Sequence, residues 1–400
     1  MKFALIGEKL SHSFSKVIHE AMGKYEYDLV PLKKEELEAF IENPEYKGFN
    51  VTIPYKRDIM FLCDCLAPSA VKIGSVNTVI KRDGRLYGYN TDYDGFMAMA
   101  EKSKIDFKDR KVAILGSGGT SLTAKAVASD LGAKEIITVS RNGEYSYNNI
   151  SLWSDAEIII NTTPVGMYPN NGESLISLKD FPLCEGVLDV VYNPLKTRLV
   201  FEAEELNIPA CGGLYMLVYQ AKKAYEIFTG DKLPDQKADE IYQNLLKSIQ
   251  NIVLIGMPGC GKSTLGKEIA ASLNREFIDI DKEIEKEINM TIPEIFQRHG
   301  EDYFREIEKK VTLSLCSNTG KVISTGGGVV MREENLYSLK QNGIVYHILR
   351  DVSLLSKEGR PLSQGKDLSE MESERKPLYE KFADKVIDNN TPLSDFKFEY

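Results

Sequence analysis

An α/β protein of more than one domain is what this sequence predicts, on three observations. Short apolar runs alternate with helix-patterned stretches along the chain, which is how repeated βα units read. Two of those runs lead straight into glycine-rich loops, Gly116-Ser117-Gly118-Gly119 and Gly256-Met257-Pro258-Gly259-Cys260-Gly261-Lys262-Ser263. A length of 400 residues is also more than a single hydrophobic core commonly serves.

Strands are expected at 2–6, 27–31 and 48–53, with helices at 16–24 and 33–42 between them. Runs at 76–81 and 85–89 flank Arg82-Asp83-Gly84, residue types that hairpin turns favour, so the first sheet should be mixed. A second βα series opens at 111–116 and continues with strands at 135–139, 157–161 and 186–191 and a helix at 121–131. The segment 210–229 reads as a glycine-rich loop followed by a long helix. After a turn at 229–235, an amphipathic stretch at 238–249 carries Ile241, Leu245, Leu246 and Ile249 on one face. The third series opens at 251–256, and the junction between halves is expected near 248–251.

Composition excludes several classes. A net charge of −9 argues against a chain built to coat nucleic acid or an anionic membrane. No window approaches the roughly 18 consecutive apolar residues of a membrane span. The apolar start is too short for a signal segment and meets Glu8 and Lys9, so it reads as the first strand of a cytoplasmic protein. Six cysteines are scattered, and Cys63-Asp64-Cys65, with no second pair and no nearby His, is a weak zinc signal.

The segment Gly256–Ser263 fits G-x-x-x-x-G-K-[ST] in full, with an apolar strand before it and a helix pattern at 264–273 behind it. Glycines let consecutive backbone N–H groups converge on phosphate oxygens at a helix N-terminus. Gly259, Cys260, Gly261 and Thr264 belong to that cradle. Lys262 adds a point charge for the β- and γ-phosphates, and Ser263 offers Mg2+ a hydroxyl.

The loop alone does not name the acceptor. Behind it stand Asp279-Ile280-Asp281, Gly300-Glu301-Asp302-Tyr303-Phe304-Arg305-Glu306-Ile307-Glu308, Thr325-Gly326-Gly327-Gly328, Arg360-Pro361-Leu362 and Arg375-Lys376-Pro377-Leu378-Tyr379. Read singly, these are solvated carboxylates, a charged helix, a tight turn and surface loops. In this order behind a P-loop they resemble shikimate kinase, over nearly all of residues 250–390. The resemblance implies a P-loop NMP-kinase-like α/β domain at 249–400 that uses ATP with Mg2+. It makes Asp281 the partner of the hydroxyl that is phosphorylated and puts Asp279 in the Mg2+ shell with Ser263. Arg305 and Arg375 clamp the substrate carboxylate, and Gly326, Gly327 and Gly328 form a flat wall against the ring. Arg360 belongs to a lid over the phosphates, within a stretch that is short for the family.

Gly116–Gly119 follows an expected strand and opens an expected helix, the setting of a dinucleotide site, although Ser121 stands at the third glycine position of the full motif. The next strand ends at Ser140-Arg141-Asn142. An acid there would bond a ribose 2′-hydroxyl, whereas Arg141 suits the 2′-phosphate of NADP, with a solvated loop charge as the plain alternative. Upstream, Ser11-His12-Ser13-Phe14-Ser15, Asn50-Val51-Thr52-Ile53-Pro54-Tyr55-Lys56, Val76-Asn77-Thr78 and Asn90-Thr91-Asp92 place polar side chains at expected strand ends. Ahead of the glycine loop, Asn161-Thr162-Thr163, the stretch from Asp189 to Pro194 and Gly212-Gly213-Leu214 through Gln220, that order resembles shikimate dehydrogenase over residues 1–248.

This second resemblance implies a substrate domain at 1–95, a Rossmann-type NADP domain at 96–212, and helices at 213–248 packing back on the substrate domain. The implied reaction is reduction of 3-dehydroshikimate to shikimate by NADPH. A carbonyl accepting hydride becomes an alkoxide, so a proton donor must stand beside it. Lys56 paired with Asp92 is assigned that work. Ser13, Ser15, Thr52, Asn77, Tyr192 and Gln220 hold the carboxylate and hydroxyls, Gly213 joins Gly116, Ser117, Gly118, Gly119 and Arg141 on the cofactor side, and His12 is scaffold. Two rival readings stay open: a dehydrogenase that also takes quinate, and a kinase half that serves only as a binding or assembly module.

Overall fold

The computed structural model describes residues 1–10, 13–23, 25–355 and 368–390. The chain separates into two compact units, Met1–Leu245 and Leu246–Tyr400.

The first unit holds two sheets. Strands β1 (Lys2–Gly7), β2 (Glu26–Pro31), β3 (Tyr46–Val51), β4 (Cys65–Leu66), β5 (Thr78–Arg82) and β6 (Arg85–Tyr89) assemble in the order β2-β1-β3-β5-β6-β4. The sheet is mixed as expected, because β5 runs antiparallel to both β3 and β6. Asp83 and Gly84 have φ of +50° and +70°, the left-handed pair that a two-residue hairpin turn requires. The antiparallel step sets Thr78, at the start of β5, beside Asn50 near the end of β3 and Tyr89 at the end of β6. Polar stretches far apart in sequence thus meet at one end of the sheet. Strand β3 ends at Val51 rather than 53, because Ile53, Pro54 and Tyr55 form a turn that leads into the helix Lys56–Leu62.

In the second sheet, β7 (Lys111–Leu115), β8 (Glu135–Val139), β9 (Ile158–Asn161), β10 (Gly186–Asp189) and β11 (Ala210–Gly212) run parallel in the order β11-β10-β9-β7-β8. All five residues of β7 are buried, which the apolar run after Lys111 anticipates for a strand covered on both faces. Strand order reverses between β7 and β9, so the loop after β7 opens at a topological switch point. Reading 210–212 as loop is corrected: these residues form the edge strand β11 on β10, and three residues are too few to show a period in sequence. The helix Leu214–Thr229 packs on the helices Ser15–Met22 and Asp92–Ser103. Gly95 permits the second contact, since a Cβ there would lie 2.5 Å from the Met216 carbonyl oxygen.

The second unit is one parallel sheet of β12 (Asn251–Ile255), β13 (Phe277–Asp279), β14 (Val322–Ser324), β15 (Gly343–Leu349) and β16 (Lys385–Asp388), ordered β13-β14-β12-β15-β16. Because β12 and β14 are neighbours, the loops that follow them, 256–261 and 325–328, lie side by side. The helix Ile292–Cys316 starts on a capping box between Thr291 and Glu294 and is interrupted at Gly300, whose φ of +83° leaves two helical segments. Among the described residues no helix is long and apolar enough to cross a membrane.

Candidate active sites

In the first unit a cleft of about 580 Å³ is lined by Ser13, Ser15, Thr52, Lys56, Asn77, Asp92, Tyr192, Gly213 and Gln220. Lys9, Asn50 and Thr120 also line it. Lys56 Nζ donates to Asp92 Oδ2 at 2.5 Å, and Asn77 Nδ2 donates to Asp92 Oδ1 at 2.9 Å. Asp92 also opens the helix Asp92–Ser103, where the dipole favours a carboxylate. The Ser13 hydroxyl donates to that of Ser15 at 3.0 Å. Gln220 joins from the helix Leu214–Thr229, its Oε1 accepting from Thr91 Oγ1 at 3.4 Å. Gly213 is pressed so closely on the Val190 carbonyl that a Cβ would overlap it. The fully buried Asp189 carboxyl accepts from Asn161 Nδ2, Thr197 Oγ1 and the Val191 N–H, and burial pushes it up to about 7.

The dinucleotide-type loop lies beyond the cleft lining, one residue before Thr120. Gly116 has φ of +104°, and Ser117, Gly118 and Gly119 are exposed at the switch point. A Cβ on Gly118 or Gly119 would meet nothing within 4 Å, so the loop presents bare backbone. Arg141 is exposed after β8, the strand beside β7. Bare N–H groups and a nearby cation fit a dinucleotide bearing an extra phosphate. His12 lies outside the described residues.

In the second unit Gly259, Gly261, Lys262, Ser263, Thr264, Asp279, Asp281, Arg305, Gly326, Gly327, Gly328 and Arg375 line one pocket of about 360 Å³. Lys262 Nζ donates to the Gly256 and Met257 carbonyls at 2.8 and 3.1 Å, which holds the loop curled. Ser263 Oγ donates to Asp279 Oδ2 at 2.8 Å, a hydroxyl and a carboxylate that form a hard-oxygen donor set suited to Mg2+. Cys260 is the exception among the loop residues: its side chain is buried behind the loop, and its carbonyl accepts from Asn389 Nδ2 at 2.7 Å. Arg360 lies outside the described residues.

Arg305 is held by Glu308 at 2.7 Å and Glu301 at 2.9 Å. The Arg305 and Glu308 side chains are 5% and 1% exposed, so removing one partner alone should cost about 3–5 kcal/mol. Sequence reading passed over Glu308, although its place three residues beyond Arg305 on a helix is a recognisable ion-pair spacing. The glycine wall has a steric basis. A Cβ on Gly326 would lie 2.6 Å from Asp281 Oδ1, and one on Gly328 would overlap the Arg305 guanidinium. Gly327 O accepts from Arg375 Nη1 at 2.9 Å and the Tyr379 hydroxyl at 2.6 Å. Burial, then the nearby charges of Glu308 and Asp279, push the Asp281 carboxyl up to about 7.

These features define an α/β dehydrogenase joined in one polypeptide to a P-loop phosphotransferase. Residues 5–79 match the family model of the shikimate dehydrogenase substrate binding domain, and 258–397 match that of shikimate kinase. The chain is 38% identical over 264 residues to a shikimate dehydrogenase (NADP(+)) of Clostridium perfringens, covering 61% of this chain and 97% of the relative. A chorismate mutase/shikimate 5-dehydrogenase fusion protein from Clostridium acetobutylicum superposes with a TM-score of 0.59 at 35% identity, covering 61% of this chain and 96% of that one. Shikimate 5-dehydrogenase from Listeria monocytogenes, solved in complex with shikimate and NAD, gives 0.56 at 30% identity, over 61% of this chain and 96% of that one. The chain belongs to the shikimate dehydrogenase family and carries a shikimate kinase domain at its C-terminal end, which makes it a bifunctional enzyme of the shikimate pathway.

Proposed function

We propose that the first unit reduces 3-dehydroshikimate to shikimate with NADPH, and that the second phosphorylates shikimate from ATP with Mg2+. The observation that carries the first half is the Lys56–Asp92 pair, set in a cleft otherwise rich in hydroxyls and amides. Bound NADPH supplies the hydride. Lys56 stabilises and protonates the alkoxide that forms, while Asp92 orients Lys56 and bonds a ring hydroxyl. Ser13, Ser15, Thr52, Asn77, Tyr192 and Gln220 suit the carboxylate and hydroxyls, and Gly116 to Gly119, Gly213 and Arg141 would hold the cofactor. The substrate domain is the β1–β6 sheet, the NADP domain the β7–β11 sheet, and the kinase domain the second unit.

For the second half, Asp281, Arg305 and Arg375 share a pocket with Lys262 and Ser263. Arginines suit a carboxylate by bidentate pairing. A carboxyl near neutrality is placed to take the proton of the acceptor hydroxyl, and Lys262 neutralises phosphate charge, with Ser263 and Asp279 as the residues to hold Mg2+. The oxidised cofactor and the compartment follow the same reading, with NADP favoured by Arg141 and a cytoplasmic setting by six free cysteines.

The test is substrate dependence. NADPH oxidation should require 3-dehydroshikimate, and ADP release should require shikimate. Equal or higher rates with NAD than with NADP would remove the role of Arg141, and ADP release indifferent to shikimate would remove the kinase assignment.

A further inference from the structure

The Lys56–Asp92 pair is the visible end of a longer construction that runs back into the core. The Tyr27 hydroxyl, on β2, donates to Asn50 Oδ1 at 2.6 Å. Asn50 Nδ2, on β3, donates to Thr78 Oγ1 at 2.9 Å. Thr78 Oγ1, on β5, donates to Asn77 Oδ1 at 3.1 Å, and Asn77 Nδ2 donates to Asp92 Oδ1 at 2.9 Å. Tyr27, Asn50, Thr78 and Asn77 are all at most 4% exposed.

Two backbone groups fix the direction of this chain. Asn50 Nδ2 also faces the Asn77 carbonyl at 3.3 Å, a group that can only accept, so Nδ2 and not Oδ1 must sit there. Asn50 Oδ1 is then left to accept, and Tyr27 must donate. At the other end the Thr91 N–H, which can only donate, meets Asn77 Oδ1 at 2.7 Å. That forces Asn77 to turn its amide N–H towards Asp92. Along this path the links point from the Tyr27 phenol to the Asp92 carboxylate, with the Thr91 hydroxyl as a side branch 3.2 Å from Thr78 Oγ1 and 3.1 Å from Asn77 Nδ2. The Tyr27 ring is itself fixed by stacking on the buried His19 ring, 4.0 Å between centroids and 7° from parallel.

We propose that Tyr27 and Asn50 are positioning residues for the reduction: acting through Thr78 and Asn77, they set the orientation of the Asp92 carboxylate and so place the Lys56 ammonium. Neither amide can turn without setting like against like, Asn50 Oδ1 on the Asn77 carbonyl or Asn77 Nδ2 on the Thr91 N–H. Loss of the Tyr27 donor leaves Asn50 Oδ1 buried without its partner, and the chain loosens from the far end. Because Lys56 acts on charge that develops during hydride transfer, loosening should slow turnover more than it weakens substrate binding.

This inference rests on Lys56 and Asp92 standing at the reacting carbonyl. The test uses the full chain and follows NADPH oxidation by 3-dehydroshikimate in Tyr27→Phe, Thr78→Val, the double variant and Lys56→Met, with thermal melting of each. Tyr27→Phe should lower kcat about tenfold while KM for 3-dehydroshikimate moves less than about twofold. Thr78→Val cuts the chain at its middle and should show the same split, and it carries the test should loss of the phenol unfold the protein. The double variant should lose no more than Thr78→Val alone, since both act on one path. Turnover within about twofold of wild type in the single variants, a KM rise in step with the kcat loss, or losses that multiply in the double variant overturn the proposal. Full activity in Lys56→Met would instead overturn the reading beneath it.

Discussion

The dehydrogenase cleft gathers its polar groups from stretches as far apart as Ser13 and Gln220 and ties them with neutral amides and hydroxyls, whereas the kinase pocket sets charged side chains around one contiguous loop. Among the described residues the cleft keeps one ion pair, Lys56–Asp92, poised by Asn77. The pocket brings Asp279, Asp281, Glu308, Lys262, Arg305 and Arg375 together around one volume. The difference follows the chemistry. Hydride transfer to a carbonyl needs one proton delivered at one atom, so alignment of a single donor dominates. Phosphoryl transfer must balance several negative charges at once, so opposed charges are packed together.

The strongest break in this comparison is a crossed pair of variants. Lys262→Met should cut shikimate-dependent ADP release by about a thousandfold or more and leave NADPH oxidation unchanged, while Lys56→Met should do the reverse by about a hundredfold or more. Loss of both activities in either variant would mean that the two sites do not work independently. Gly328→Ala follows, because its Cβ overlaps the Arg305 guanidinium. KM for shikimate in the kinase reaction should rise about tenfold with KM for ATP nearly constant, and an unchanged shikimate KM would remove Arg305 from the carboxylate site.

The charged character of the kinase pocket predicts a pH dependence. With Asp281 raised to about 7, its base form predominates only above that value, so the phosphorylation rate should climb as pH rises through about 7. Asp279, Glu285 and Glu308 hold it up and Lys262 pulls it down, but burial is the largest cause. Glu308→Gln removes one negative charge, so the acidic limb should move to lower pH without reaching the range of an exposed carboxylate. A limb that stays in place, or moves up, would contradict the part given to Glu308. The smallest effect is expected at the exposed Arg141, where Arg141→Ala should narrow the preference for NADPH over NADH by about tenfold in kcat/KM.

How far the sequence could be read differs between the two sites for the same physical reason. A P-loop needs adjacent residues, so Gly256 to Ser263 declared itself, and its neighbour strand β12 was plain as an unbroken apolar run. The cleft depends on sheet order, and Asn50 and Thr78 become partners only through the antiparallel step between β3 and β5. Tyr27 gave no signal because a buried polar side chain on a strand looks like any other strand residue until its partner is seen, and Asn50 stood out only as part of a polar cluster, without its partners. The helix Asp92–Ser103 was not anticipated either: Gly95 and the local Asp residues weaken a helical reading, yet the glycine is what lets the helix Leu214–Thr229 approach. The strand β11 was too short to carry a pattern. Glu308 was the avoidable omission, since its spacing from Arg305 was visible.

The central claim is that one polypeptide makes and then consumes the same small acid at two separate sites. The direct measurement supplies purified chain with 3-dehydroshikimate, NADPH and ATP with Mg2+ and follows NADPH oxidation, ADP and phosphorylated product together. The account predicts that ADP and phosphorylated shikimate appear in step with oxidised cofactor, and that neither forms when NADPH is left out. NADPH oxidation with no phosphorylated product, or ADP released at the same rate without NADPH, would contradict it.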